Sequence, residues 1–403
     1  MREIVVIGGG LAGAAAATHL AQAGHDVLLL ERTTGPHDKV CGEFLSYEAQ
    51  EELEGLGIDL KALGAVPIGS VTVQRGQRRA DAALPFEALS LSRRVLDEAL
   101  LARAALSGAE VRRGIRVRSL IRAEAGWTVG FDGGDWTARH VILATGKHDL
   151  HGWRRPAGPQ GDLLGLKAYL RNPAPRLRTG TVELHLFPGG YAGLEPVEGD
   201  RANLCLVVRQ ERFALMGRSW DGLLSVLKAT CPGLQGRIEP DLLDRTKPLA
   251  IAAIPYGLVQ SRSDGIWRVG DQAAVIPSFT GEGMSIALHS ARLAAAALIA
   301  GHGPEAFQAR LADDLRAQVR RSTLMSRALV APATQAVTGR LLCGPLLRWT
   351  LGATRIPAKA RIRARGWPEA LARSGDQRRA DGLVGAHSGD HVAASAAWSR
   401  PRR

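Results

Sequence analysis

The stretch Glu3-Ile4-Val5-Val6-Ile7-Gly8-Gly9-Gly10-Leu11-Ala12-Gly13-Ala14-Ala15-Ala16-Ala17 opens as a β-branched run and passes through glycines into an alanine-rich helix former. The first part reads as a strand buried on both faces, and Leu11 to Ala23 as a helix. Asp26 to Leu30 supplies a second strand, which brings the chain to Glu31, eighteen residues after Gly13. In the spacing Gly8-x-Gly10-x-x-Gly13, Gly8 permits a tight turn, Gly10 lets the backbone approach a pyrophosphate, and Gly13 lets helix and strand pack closely. The helix N-terminus, with Leu11 and Ala12, then meets phosphate charge with unpaired N–H groups and the positive end of its dipole, without needing a lysine. Glu31 falls where a carboxylate accepts hydrogen bonds from an adenosine ribose and disfavours a 2′-phosphate, with Arg32 next to it. These residues alone leave NAD and FAD open.

Outward from this unit, the 403 residues, 45% hydrophobic and 23% charged, describe a globular enzyme of two domains. The net charge of +13 is uneven: residues 355–403 carry +7 of it. With no zinc-finger spacing and no aromatics interleaved with basic residues, nucleic-acid binding is not expected. Cys41, Cys205, Cys231 and Cys343 form no CxxC pair, which fits a reducing cytoplasm and neither a zinc site nor a disulfide framework. The apolar run from Ile4 to Leu20 is broken by glycines and leads into a second strand, so it is not read as a secretion signal. No later apolar run approaches the ~20 residues of a membrane span. His387 and His391 have i,i+4 spacing, but they lie in a Gly/Arg/Ser-rich tail, and no metal site is expected.

The expected architecture is α/β: a Rossmann-type dinucleotide domain at 1–150 and 255–302, discontinuous in sequence, and an inserted antiparallel substrate sheet at 151–254, to which 70–92 contribute. A helical region at 303–365 and a disordered basic tail at 366–403 complete it. A helical stripe over Arg93 to Ser107 precedes strands at Ala109–Arg113, Ile115–Ile121, Trp127–Phe131 and His140–Ala144. Further strands are expected at Thr181–Phe187, Asn203–Val208 and Ile266–Val269, and a long helix from Gly283 to Ala300.

Other segments, in order, select the dinucleotide. Val141-Ile142-Leu143-Ala144-Thr145-Gly146 resembles the ATG segment of flavoproteins, and Trp267-Arg268-Val269-Gly270-Asp271 resembles their late G-D motif. Pro277 through Gly281-Glu282-Gly283-Met284 opens the following helix. Ser92-Arg93-Arg94-Val95-Leu96-Asp97 resembles the S-R-x-x-L-D segment of the group A flavoprotein monooxygenase and geranylgeranyl reductase superfamily, and the resemblance covers about residues 1 to 300. It implies FAD as cofactor and NAD(P)H as a reductant that docks transiently. It also implies Asp271 on the ribityl chain, Arg93 near the flavin, Val117 bordering the adenine, and Lys39-Val40-Cys41-Gly42-Glu43-Phe44 as a loop beside the isoalloxazine ring. Cys41 is then a redox or flavin-linking thiol, or a small residue packed on the ring. Glu43 is a flavin-site acid or a helix-starting residue.

Within that superfamily, Gly193 stands where the reductases carry a tunnel tryptophan in the stretch Phe187-Pro188-Gly189-Gly190-Tyr191-Ala192-Gly193. A halogenase would need a lysine within Ile68–Gln77 and a spaced tryptophan pair, and has neither. The expectation is therefore an NAD(P)H-dependent monooxygenase that hydroxylates an electron-rich aromatic or lipophilic small molecule through a flavin C4a-hydroperoxide. A reductase acting on a lipid or natural-product double bond is the alternative. Tyr191 either faces substrate or anchors a strand, His185 and His289 are weak candidates for a base, and 341–362, with Trp349 among basic residues, is a candidate peripheral membrane contact.

Overall fold

The computed structural model describes residues 1–171, 177–244, 247–335, 344–358 and 360. The chain begins β1 (Arg2–Ile7), α1 (Leu11–Gln22), β2 (Val27–Glu31), β3 (Phe44–Leu45), α2 (Tyr47–Gly55), β4 (Val66–Arg75), β5 (Arg78–Ser90) and α3 (Arg93–Leu106). It continues through β6 (Glu110–Arg113), β7 (Val117–Ala123), β8 (Gly126–Phe131), β9 (Gly134–Leu143), β10 (Leu163–Arg171), β11 (Thr181–Phe187), β12 (Gly190–Val197) and β13 (Arg201–Arg209). The remainder is α4 (Gln210–Leu215), α5 (Trp220–Thr230), β14 (Leu249–Ala252), β15 (Trp267–Arg268), α6 (Gly283–Ile299), α7 (Pro304–Val330) and α8 (Gly344–Ala353).

The strands form two sheets. The first, in the order β6-β2-β1-β9-β8-β7 with β15 also on β9, is the nucleotide-binding one. Its centre is parallel: β1 pairs with β2 on one side and β9 on the other. Ile4, Val5 and Val6 have no exposed surface, because α1 and α6 cover one face and Trp127, Val129 and Leu143 lie on the other. This explains the uninterrupted apolar run of β1. Alanines on α1 let it pack tightly against α3 and α6.

The second sheet has the order β14-β10-β13-β12-β11-β4-β5-β3. It contains β4 and β5, from a region where little strand pattern is evident in the sequence. It is not wholly antiparallel as expected: β11 runs parallel to β4. Those two strands are joined through β5, α3, the first-sheet strands β6 to β9, and β10, and a connection of that length leaves their relative direction free. Helix α5 covers one face of this sheet, packing on Leu170, Phe187, Leu194 and Leu204.

Helix α6 returns the chain to the first sheet, α7 packs along it, and α8 lies on β5. Arg355, just past α8, pairs with Glu48 of α2 and lies 3.4 Å from Glu282, the residue before α6. Burial pushes the Glu282 carboxyl up to about 7, against the pull of Arg355. The folded chain therefore holds a proton that the unfolded chain releases. The contribution of Glu282 to stability is present in full below the ordinary value of 4.5 and is lost, by up to about 3 kcal/mol, as pH rises through about 7. Glu282→Gln is expected to flatten this slope, which a series of melting temperatures between pH 4 and 8 checks.

Candidate active site

The turn after β1 is built by steric exclusion. Gly8 has φ +108°, and a Cβ there would lie 2.5 Å from the Ala144 carbonyl oxygen. A Cβ on Gly13 would lie 1.9 Å from the Gly8 carbonyl oxygen. Gly10 is the N-cap of α1 and brings no capping side chain, so the first N–H groups of the helix lack an internal acceptor. A Cβ on Gly10 would point to Arg93 Nη2 and Lys39 Nζ, each 3.4 Å away.

Those two cations amend the expectation that the turn works without a lysine. Asp97, buried on α3, holds both: Lys39 Nζ is 2.7 Å from Oδ2 and Arg93 Nε 2.8 Å from Oδ1. Burial alone would raise the Asp97 carboxyl, but Arg93 and Lys39 outweigh it and keep it ionised. Glu31 is likewise buried, yet the Thr33 N–H at 2.9 Å, the Lys39 charge and the Gly9 N–H at 2.7 Å hold it below its ordinary range. Arg32 is exposed beside it, and Val117 is half-buried at the start of β7.

The later segments converge on the same edge. Ala144 follows β9 against Gly8, and Gly146 accepts a hydrogen bond from Gln272 Nε2 at 2.8 Å. Thr145 turns its hydroxyl to the His148 carbonyl. Gly270, at φ +58°, donates its N–H to Ser290 Oγ, and Asp271 is half-buried, its carbonyl taken by Arg155. Pro277 is buried, Ser278 is exposed, and Gly281, at φ +71°, accepts the Phe44 ring over its Cα. Gly283 is exposed and Met284 buried at the start of α6, which also lacks a side-chain cap. Uncapped helix N-termini, cations and close-packed glycines along one edge fit an extended dinucleotide with a central pyrophosphate.

Opposite this edge stands the face of the second sheet that α5 does not cover. Register places Lys167 against Cys205, Tyr169 and Glu195 against Asn203, and Tyr191 against Val207 on that face. Tyr191 Oη is 2.8 Å from Ser278 Oγ, and its ring meets Phe279 edge-on. Cys41 and Gly42 give their carbonyl oxygens to Asn203 Nδ2, at 3.1 and 2.8 Å. Cys41 is half-buried, with the Arg93 guanidinium beside its sulfur. Glu43 starts no helix of its own. It is buried at φ +62°, and its Oε1 accepts the Arg93 N–H at the beginning of α3.

His185 is corrected as a candidate base. It shares the Phe187 face under α5, is buried beside Gly233, and pairs with Glu183 at 3.1 Å, which Arg237 also holds. His289 is also buried, between α6 and Asp314 of α7. His387, His391 and 366–403 lie outside the described residues.

Sequence reasoning missed Asp97 as a partner of the cations, and missed Lys167, Tyr169, Glu195, Asn203, Tyr256 and Ser278. One signal was present: a lysine inside the apolar run Leu163-Leu164-Gly165-Leu166-Lys167-Ala168-Tyr169-Leu170 is out of place in a buried strand unless paired.

Residues 1–144 match the FAD binding domain family. Digeranylgeranylglycerophospholipid reductase 1 of Methanopyrus kandleri is 30% identical over 316 residues, covering 72% of this chain and 79% of that protein. The chain belongs to the FAD-dependent oxidoreductases of the geranylgeranyl reductase and group A flavoprotein superfamily. A menaquinone reductase of Mycolicibacterium smegmatis is 29% identical over 74% of this chain and 76% of its own length. Among solved structures, the halogenase PltM in complex with phloroglucinol and FAD superposes with TM-score 0.72 at 18% identity, over 96% of this chain and 86% of its own. The probable FAD-dependent monooxygenase pqsL from Pseudomonas aeruginosa gives 0.68 at 18%, over 83% and 98%. At such identities these structures speak for the fold of the oxidoreductase. FAD is its cofactor.

Lys39→Met is expected to weaken FAD retention about tenfold, the worth of one charge-assisted hydrogen bond. Gly10→Val is expected to abolish it while the chain stays folded. Fluorescence of FAD released from the purified variants, with circular dichroism as the folding control, checks both.

Proposed function

We propose that this oxidoreductase reduces a carbon–carbon double bond in a lipophilic, isoprenoid-like substrate. One observation carries the reading: Tyr191, Glu195 and Cys205 of the second sheet, with Tyr256 in the segment after β14, hold protons on the side facing the dinucleotide edge. Burial pushes the Tyr191 hydroxyl far up, the Tyr256 hydroxyl to about 12 and the Cys205 thiol to about 12, and it holds the Glu195 carboxyl protonated. Such a face serves an addition that takes up a proton, and it offers a phenol no base, since His185 lies on the opposite side.

When bound and reduced, with NAD(P)H as the donor, FAD supplies the hydride. Tyr191 Oη, joined to the exposed Ser278 Oγ, holds the proton that completes the addition at the neighbouring carbon. Val73, Leu186, Val207 and Ile254, with Leu184 and Phe279 against them, give the surroundings an apolar lining that excludes water from the reacting bond. The curated relatives that are reductases favour the same chemistry. In this reading 341–362 rests on a lipid surface. Trp349 of α8 is 61% exposed, and no described helix is long and apolar enough to cross a membrane.

Aromatic hydroxylation is the competing reading, favoured by Gly193 of β12, which stands where a reductase-type tryptophan would project and whose Cβ position lies 3.4 Å from the Cys205 carbonyl oxygen. Anaerobic mixing of the reduced holoprotein with menaquinone or a geranylgeranyl lipid separates the two. Flavin reoxidation without oxygen, with a product heavier by two hydrogens, is expected. Turnover that requires oxygen and adds an oxygen atom overturns the proposal. Tyr191→Phe should slow reoxidation about a hundredfold, as for loss of a general acid.

A further inference from the structure

Glu43, Lys167, Tyr169, Glu195 and Asn203 come from four separate segments and meet, buried, between the two sheets. The Glu43 carboxylate accepts hydrogen bonds from the Tyr169 hydroxyl at 2.7 Å and the Arg93 backbone N–H at 2.8 Å, and forms an ion pair with Lys167 Nζ at 2.5 Å. Lys167 and Arg201 also flank the Tyr169 ring, at 4.4 and 4.5 Å from its centroid. Besides the Cys41 and Gly42 carbonyls, Asn203 Nδ2 reaches Glu195 Oε1 at 3.3 Å. Glu195 Oε2 and Asn203 Oδ1 have no hydrogen-bond partner among the described residues.

Stability does not account for this cluster. A left-handed non-glycine backbone, as at Glu43, is unfavourable, and so is an unmatched buried polar atom. A buried ion pair is often no better than apolar residues of the same volume. Its location does account for it. Residues 41–42 lie between Lys39, whose Nζ reaches Gly10 at the start of α1, and Phe44, whose ring covers Gly281 before α6. A flavin whose pyrophosphate sits on α1 lies along this span, because the uncapped helix N-termini flank it.

We propose that Lys167 is a positioning residue for the redox chemistry: by pairing with Glu43 it locks the Cys41–Gly42 peptide, held through its carbonyls by Asn203, in the orientation that faces the flavin ring. Burial and then the charge of Glu43 keep Glu195 protonated; burial also raises the Glu43 carboxyl, and the neighbouring Lys167 charge pulls it back down, so Glu43 is the carboxyl that pairs with Lys167. The proposal rests on FAD as cofactor and is independent of whether the reaction is reduction or hydroxylation.

Substrate-free holoprotein of Lys167→Met, the double variant Lys167→Met/Glu43→Gln, and Asn203→Ala provides the test. Lys167→Met, which strands a buried carboxylate, should lower the melting temperature, and the double variant should recover much of that loss. All three are expected to show a shifted flavin absorbance maximum and midpoint potential, and kcat lower by about a hundredfold. A double variant with recovered stability and a wild-type spectrum and potential reduces Lys167 to a packing role and overturns the proposal. If either Lys167 variant fails to fold, Asn203→Ala decides alone, because it keeps the ion pair and frees the two carbonyls together with Glu195 Oε1: an unshifted flavin overturns the proposal.

Discussion

The close approach of α1 to the β1 turn is the constraint on which the rest depends. With no side chain at Gly13, the helix axis comes within contact distance of the Gly8 carbonyl and of Ala144 after β9. This aims the uncapped end of α1 along the edge of the first sheet and fixes where a pyrophosphate can lie. It also places Asp97, on the neighbouring α3, where it can hold Lys39 and Arg93 beside Gly10. A larger residue at Gly13 would push the helix away and disperse both the dipole and the cations. Backbone sterics and electrostatics thus act as one device here, and neither suffices without the other.

A second constraint is polar and joins the two sheets. Glu43 accepts bonds from α3 on one side and from β10 on the other, so the loop at 39–44 cannot move without uncoupling a buried charge. The interface between the sheets thereby gains a defined geometry that apolar packing alone would leave adjustable. At this junction a left-handed backbone at Glu43 meets unmatched polar atoms of Glu195 and Asn203, whereas Ile4, Leu29 and Leu204 are buried in apolar surroundings.

The first sheet was legible because its determinants are local. The strand, glycine turn, helix and terminal acid lie within residues 3–31, and each has a steric or electrostatic requirement that only certain residues meet. The second sheet was less legible for the opposite reason. Its β3, β4 and β5 end at Ser90, whereas the rest of the sheet begins at Leu163, and the parallel contact of β4 with β11 is set by tertiary packing. Lys167 and Asn203 face the cofactor edge because their strands are in register, and no spacing along the chain records that. Alternation did hold the information needed to dismiss His185. It lies two residues from Phe187, so the two share a face, and the helix packed on Phe187 buries both.

This division explains why cofactor and reaction separate so cleanly in this protein. A dinucleotide is recognised through backbone N–H groups, whose availability depends on glycines that are visible in sequence. The proposed reduction depends on which protons the opposite wall holds. Tyr191 and Tyr256 keep theirs in water at neutral pH and burial raises them further, whereas Glu195 would be ionised in water and its enclosure holds it protonated. The glycine turn identifies FAD and carries no information about which protons that wall holds.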